Sequence, residues 1–535
     1  MSNPHLSTLL SESTQHVAVE TQYGPMRGRR VDNGAVVWLE VPYALPPRRF
    51  ENPERLPSDF RYEDKEYIYE SVYGTQPTND GQAAGMCFKS STTTIYIYKV
   101  GLGEPTENPL FVNIVSPLSF PSETNLPVKV YIHGGFLQFG SPHGLSSQAQ
   151  FISAERSEVW VNIGYRLSAF GFLACDEPKV EGNFGFKDQW LALEWVKDNI
   201  SAFGGNPEDI QVSGLSAGAH SVHQILHHAS RLLLGVKAPF TSAVLQSNAI
   251  VTSPKTPREL RPQFEAFCRG LELDPYDRDV LTALRDPARV PWKAITKLID
   301  SERLGSHGTF RGCSDGTWMA CAPDADAMTW QRMGGLAQGL REHGVRSIVL
   351  GDLSEEWYLY SIAHDVTSKQ DIEQNLQRYY PEDITAKIME LYLKNVPEDA
   401  SAEKLTRLFG YMLSEGQVHL PVRLLHRDLV EAGFPVVRYE IRWTPEQGRP
   451  KGYVTHATDR PLWTYRLPTL TESQAIIAKA WVRKIADEVK RAESGANDKG
   501  TKDVLKLQED QTIVWGEDTQ WDRILEKRKV LPGET

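Results

Sequence analysis

The sequence predicts an α/β fold, a large and mostly parallel twisted sheet flanked by helices, with helical insertions over the active site. Three observations predict it. Short apolar runs near residues 129, 159, 210, 243, 348 and 436 alternate with stretches of helical pattern, the order expected of strands joined by crossover helices. Two helix-rich segments, 255–345 and 366–431, fall between strands and are expected to wall in a site. No Pro-, Ser- or Gly-rich linker, repeat or low-complexity tract divides the 535 residues, so a single domain over 1–535 is the simpler account. Within it, residues 1–16 are expected to be a flexible tail, and the charged stretch 491–510 an exposed helix end and loop.

The most informative element is Gly214-Leu215-Ser216-Ala217-Gly218, which follows the apolar run Ile210-Gln211-Val212 and precedes the helix-compatible Ala217 to Ala229. A serine held on a sharp strand-to-helix turn needs small residues two positions either side, because side chains there would meet the strand and helix that pinch the turn. Glycine occupies both positions. A pentapeptide of this kind also arises by chance, so the rest of the constellation has to carry the reading.

Upstream, Pro127 to Ile132 reads as a buried strand running into His133-Gly134-Gly135-Phe136, with Gly140 beyond. This is where an oxyanion loop belongs. Attack by a serine on an ester carbonyl puts negative charge on oxygen, and backbone N–H groups already aimed at that oxygen stabilise it without reorganising. An ordinary Gly-Gly turn is the alternative, and the position about 80 residues before the Gly-x-Ser-x-Gly stretch disfavours it.

Residues 17 to about 485 resemble the type-B carboxylesterases, a group that includes cholinesterases and several fungal lipases, and the blocks nearest Ser216 are most similar to intracellular fungal members. The resemblance rests on Val41-Pro42-Tyr43-Ala44 with Arg49-Phe50, Leu110 to Ile114, Tyr165-Arg166-Leu167 with Gly171-Phe172-Leu173, and Asn183 through Pro207, in that order. It implies the α/β-hydrolase fold and a serine triad. The family pattern puts the acid five residues after Gly351, which selects Glu356 over its rivals Glu355 and Asp352. The base then falls in Gly452-Tyr453-Val454-Thr455-His456, with Asp459 three residues on. The order Ser216, Glu356, His456 is that of α/β-hydrolases. His220, His223, His227 and His228 lie in the helix after Ser216 and are expected to pack or face solvent, since a base approaches from a separate loop.

The resemblance further implies oxyanion donors at Gly135, Phe136 and Ala217, and a supporting role for Ser247 behind the acid. Three departures stand out: Leu215 where the family commonly has Glu, Trp357 where a glycine follows the acid, and Phe136 where the oxyanion loop usually has a third glycine. The Phe136 ring must either fold away into the core or narrow the acyl pocket.

Net charge is −11 with no clustered Lys/Arg run, which argues against nucleic acid and anionic membrane as partners and favours a small-molecule ester. No apolar segment is long enough for a transmembrane helix, and Met1 to Glu20 lacks the pattern of a secretory signal, so a cytoplasmic protein is expected. Cys87, Cys175, Cys268, Cys313 and Cys321 form no paired spacing and no zinc-ligand set, so reduced thiols and no metal or cofactor are expected. The disulfide of secreted family members falls at a position matched by Pro109. The chemistry expected is ester hydrolysis through an acyl-enzyme; acyl transfer or lactone hydrolysis would use the same triad. A non-catalytic binding fold is the contrasting possibility, and such folds usually lack a triad residue. Oligomeric state and substrate are not legible.

Overall fold

The computed structural model describes residues 6–77, 89–90, 93–94, 103–144, 148–319, 326–496 and 499–534, so Cys87 and Cys321 lie outside it. Twelve strands form one sheet: β1 (His16–Thr21), β2 (Gly24–Arg30), β3 (Val36–Pro42), β4 (Phe111–Ser116), β5 (Leu126–Ile132), β6 (Val159–Ile163), β7 (Gly205–Leu215), β8 (Ser242–Gln246), β9 (Ser347–Leu353), β10 (Val436–Ile441), β11 (Asp503–Leu507) and β12 (Ile513–Glu517). Their order is β1-β2-β3-β4-β6-β5-β7-β8-β9-β10-β11-β12. From β6 to β11 neighbouring strands are parallel, and the flanking pairs are antiparallel. All six expected apolar runs are central strands. They read as continuous apolar segments because both faces are covered: every residue of β8, β9 and β10 is buried.

Helices cover the sheet where the sequence gives them one apolar stripe. In α5 (Glu472–Glu493, numbered after α1 Leu6–Glu12, α2 Phe184–Asn199, α3 Ala217–Ala229 and α4 Leu420–Glu431), Ala475, Ala478, Trp481 and Ile485 recur at helical spacing and are buried. Its start is fixed by a capping box between Thr471 and Gln474. Trp481 packs edge-on against Tyr439 of β10, with ring centroids 5.6 Å apart. The segment between β9 and β10 is mostly helical, the one between β8 and β9 consists of short helices joined by longer loops, and residues of both line one cavity.

Two expectations are corrected. Residues 6–16 are not a free tail: α1 buries Leu6 and Leu10 beside Val37 and Leu39 of β3, and the Arg29 guanidinium donates to the carbonyls of Leu10 and Ser13, both at 3.0 Å. Likewise 491–510 is not all exposed, because Val504, Leu505 and Leu507 make β11 a buried strand. Asp503 and Lys506 within the strand interrupt its three apolar residues, Val504, Leu505 and Leu507, and so hide it in the sequence. Asn199 of the sequon Asn199-Ile200-Ser201 is a buried helix-end residue whose amide donates to Trp195 O at 2.8 Å, so it is not presented as a glycosylation site.

Charge is buried where elements meet. Arg423 of α4 pairs with Asp352 of β9 at 3.1 Å and with Asp518 at 2.8 Å, and Arg438 of β10 pairs with the same Asp518 at 2.7 Å. These pairs lock α4 and the C-terminal segment onto the centre of the sheet. Removing one partner of such a set leaves an uncompensated buried charge, costing about 3–5 kcal/mol.

Asp459 is buried differently. Trp463 Nε1 donates to its Oδ2 at 2.8 Å, while its Oδ1 has no hydrogen bond. Burial pushes its carboxyl up to about 6, and the nearby charge of Glu356 pushes the same way. An unfolded aspartate ionises near 3.8, so the stability that protonated Asp459 contributes is complete below that value and is lost as pH rises through about 6. Asp459→Asn is expected to stabilise the protein by about 3 kcal/mol near pH 7.5, shrinking to about 1 kcal/mol near pH 4.5, as read by urea unfolding at both pH values.

Candidate active site

The C-terminal ends of the parallel strands carry the site, where open α/β sheets place their ligands. Ser216 follows β7 directly and begins α3 with φ 60° and ψ −128°, a conformation that L-residues rarely adopt. Its N–H donates to Gln246 O of β8 at 2.9 Å and its carbonyl accepts from His220 at 3.0 Å, so strand and helix hold the turn from both sides. A Cβ at Gly214 would overlap the carbonyl group of Gly218, and one at Gly218 would overlap Ile132 O of β5. The glycines are needed for the reason the sequence suggested.

Glu356 comes after β9 and is fully buried. Its Oε2 lies 2.6 Å from His456 Nδ1, and its Oε1 accepts the Leu353 N–H at 3.1 Å. The two rivals have other partners. Asp352 is tied to Arg423 at 3.1 Å and to His419 Nδ1 at 2.9 Å; although burial opposes its charge, the Arg423 guanidinium and the His419 hydrogen bond hold its carboxyl well below the usual range. Glu355 accepts the Val454 N–H at 2.8 Å, and its own N–H bonds Val454 O at 3.0 Å, which fastens the acid loop to the loop carrying His456. Adjacent carboxylates in Asp352-Leu353-Ser354-Glu355-Glu356 thus meet three different environments.

His456 Nε2 is buried and makes no hydrogen bond among the described residues. Its Nδ1 faces the Glu356 carboxylate, so in the tautomer protonated at Nδ1 the other nitrogen, Nε2, is an acceptor. Ser216 and His456 are not yet hydrogen-bonded to each other, and such pairs commonly tighten only with substrate bound. The four α3 histidines are elsewhere. His223 and His227 stack at 5.0 Å in the core, His228 stacks on Trp318 at 4.6 Å, and burial pushes all four imidazoles toward the neutral form.

The loop after β5 passes directly over the turn, since a Cβ at Gly134 would overlap Leu215 O and Ser216 Cβ. Gly135, Phe136 and Leu137 all have positive φ, at 116°, 55° and 68°. Two consecutive non-glycine residues in this region is a strained arrangement that needs outside support. Gln138 supplies it: its Nε2 donates to Phe136 O at 3.0 Å and Phe310 O at 2.6 Å, and its Oε1 accepts the Phe310 N–H at 3.2 Å. The N–H groups of Gly135, Phe136 and Ala217 have no acceptor among the described residues. Nothing in the sequence pointed to Gln138, because its partner is 172 positions away.

The Phe136 ring is buried, belongs to the same apolar cluster as Val251, Tyr360 and Ile384, and lies edge-on to Tyr360 at 6.2 Å. Tyr360 in turn meets the His456 ring at 5.6 Å, so the aromatic that replaces a glycine backs the base's neighbour. Ser247 has its N–H on Gly351 O at 2.9 Å and its buried hydroxyl makes no hydrogen bond among the described residues, whereas the Leu353 N–H donates to Glu356. Trp357 meets Tyr453 edge-on at 5.0 Å and lies under the Arg407 guanidinium at 4.8 Å, filling a place that a glycine would leave open.

A profile of the carboxylesterase family matches residues 15–485. An uncharacterised esterase/lipase of Schizosaccharomyces pombe is 30% identical over 80% of this chain and 81% of its own. The para-nitrobenzyl esterase of Bacillus subtilis is 27% identical over 89% of this chain and 87% of its own. A solved para-nitrobenzyl esterase structure superposes with a TM-score of 0.71 at 24% identity, covering 96% of this chain and all of that one, which establishes a shared fold. Since the profile spans the strand before the oxyanion loop, the serine turn and the loops carrying Glu356 and His456, the chain belongs to the carboxylesterase family and is a carboxylic ester hydrolase.

Proposed function

We propose that Ser216 is the nucleophile, His456 the base and Glu356 the residue that orients the base and stabilises its charged form. His456 Nε2 takes the Ser216 proton as the hydroxyl attacks the ester carbonyl, the tetrahedral oxyanion is held by the N–H groups of Gly135, Phe136 and Ala217, and the alcohol leaves with the proton from His456. Water, deprotonated by the same imidazole, then cleaves the acyl-enzyme and releases the acid. The observation that carries this reading is the Glu356–His456 contact of 2.6 Å beside a serine in the strained turn conformation. No cofactor or metal enters the scheme. We read the chain as a cytoplasmic enzyme acting on a small-molecule ester rather than on nucleic acid. Support comes from the buried, unpaired thiols of Cys175, Cys268 and Cys313, the net charge of −11 and the absence of any helix among the described residues long and apolar enough to cross a membrane.

Ser216→Ala is expected to lower kcat for a para-nitrophenyl ester by about 10⁵–10⁶ and to abolish labelling by a fluorophosphonate, with thermal unfolding unchanged. Persistent labelling would remove Ser216 from the scheme. Glu356→Gln is expected to lower kcat by about 10³–10⁴, whereas Glu355→Gln, which keeps an acceptor for Val454, stays within about tenfold of the parent. Similar losses in both variants would overturn the choice of acid. Gln138→Ala is expected to lower kcat by about tenfold with KM little changed, because it loosens donors that act on the oxyanion; a change in KM alone would argue against that role.

A further inference from the structure

A cavity of about 400 Å³ lies between the two helical insertions. It begins one helical turn from the nucleophile: His220, which bonds Ser216 O, is in its wall, as are Ala249 and Ile250 shortly after Ser247. Val251 and Tyr380, also in the wall, belong to the cluster that buries Phe136 of the oxyanion loop. Through Gln138, the same loop is bonded to Phe310, the residue before Arg311.

Arg311 gives this cavity its character. Its guanidinium pairs with no carboxylate among the described residues: Nη1 is buried without a hydrogen bond, Nη2 reaches only Gln417 Oε1 at 3.5 Å, and the Tyr379 ring lies 4.9 Å below. Burial pulls its affinity for the proton down, and the groups that oppose this are tyrosines. Lys255, half-buried in the same wall, has no carboxylate within ion-pair distance among the described residues; burial lowers it, opposed by the more distant charge of Glu259 at the rim. The other charges are accounted for. Arg378 pairs with Glu302 at 2.7 Å, while Glu259 and Glu382 are exposed at the rim, the former accepting from the N–H and hydroxyl of Thr256. A partly exposed guanidinium in a cavity wall, with one nitrogen buried and unbonded and no paired carboxylate among the described residues, is suited to an incoming anion, and its planar fork matches a carboxylate.

We propose that this cavity receives a carboxylate carried by the ester substrate, on its acid or its alcohol half, with Arg311 as the receptor and Lys255 assisting from the wall. The inference rests on Ser216 being the nucleophile and adds a substrate class to that reading: esters with a negative charge next to the scissile bond.

The test uses the full-length protein and two matched ester pairs. Mono-para-nitrophenyl glutarate against para-nitrophenyl pentanoate places the charge on the acid, and meta-acetoxybenzoate against phenyl acetate places it on the alcohol. In at least one pair, kcat/KM for the charged ester is expected to exceed that of the neutral one by about tenfold or more. Arg311→Met is expected to bring this ratio back to about one, and Lys255→Met to lower it by about threefold. The ratio is the readout because a general loss of activity does not move it. Arg311→Lys, which keeps the charge but not the fork, is expected to fall between the parent and Arg311→Met, and Lys255→Met carries the test should both Arg311 variants misfold. Glutarate and benzoate titrated by calorimetry into Ser216→Ala read the receptor without turnover, and saturable binding lost with Arg311→Met is the expected result. Absence of charge preference in both pairs, a preference that survives Arg311→Met, or no carboxylate binding would each overturn the proposal. Neutral esters hydrolysed without charge preference defeat this inference alone, whereas turnover undiminished by Ser216→Ala defeats the hydrolase mechanism beneath it.

Discussion

The turn at Ser216 is the constraint on which the site depends. A residue at φ 60° and ψ −128° does not hold itself there; the hydrogen bond to Gln246 on one side, the first turn of α3 on the other and the missing side chains at Gly214 and Gly218 hold it. Because the same turn touches Gly134, the loop 133–140 takes its position from it, and because β7, β8, β9 and β10 are in parallel register, the loops carrying Glu356 and His456 emerge on the same edge. One strained residue thus acts as the origin from which three loops are measured.

Around that origin, partner supply separates the ionisable groups into different environments. Asp352, Glu355 and Glu356 are chemically similar and close in sequence, but arginine claims the first, a backbone N–H of the neighbouring loop the second, and the His456 imidazole the third. The histidines divide the same way. Those of α3 are kept neutral by burial and serve packing, whereas His456 alone among the residues weighed for the base has one nitrogen on a carboxylate and the other unbonded.

What the sequence made legible was local. A strand-turn-helix with two glycines, an apolar run ending in His-Gly-Gly, and six buried strands each leave a signature within a dozen residues, and those readings match the structure. The choice of Glu356 came from a family spacing, not from chemistry visible in the segment. Long-range closure was not legible: Gln138 meets Phe310 across 172 positions, and Arg311 differs from other arginines only in what fails to surround it. β11 was missed because its apolar run is short and set among charges, and α1 because amphipathic helices of seven residues leave too little period to read.

The C-terminal strands have a practical consequence for anyone who shortens or fuses this chain. The family match stops at residue 485, which makes that point an inviting boundary. Cutting there would strip β11 from β10 and expose a row of unpaired amides and carbonyls along the strand that leads to His456. It would also remove Asp518, leaving Arg438 and Arg423 without the counter-ion they share in the interior. A chain truncated at the edge of its recognisable homology would therefore offer a sticky sheet edge to its own copies, and its failure would appear as aggregation long before it appeared as lost catalysis.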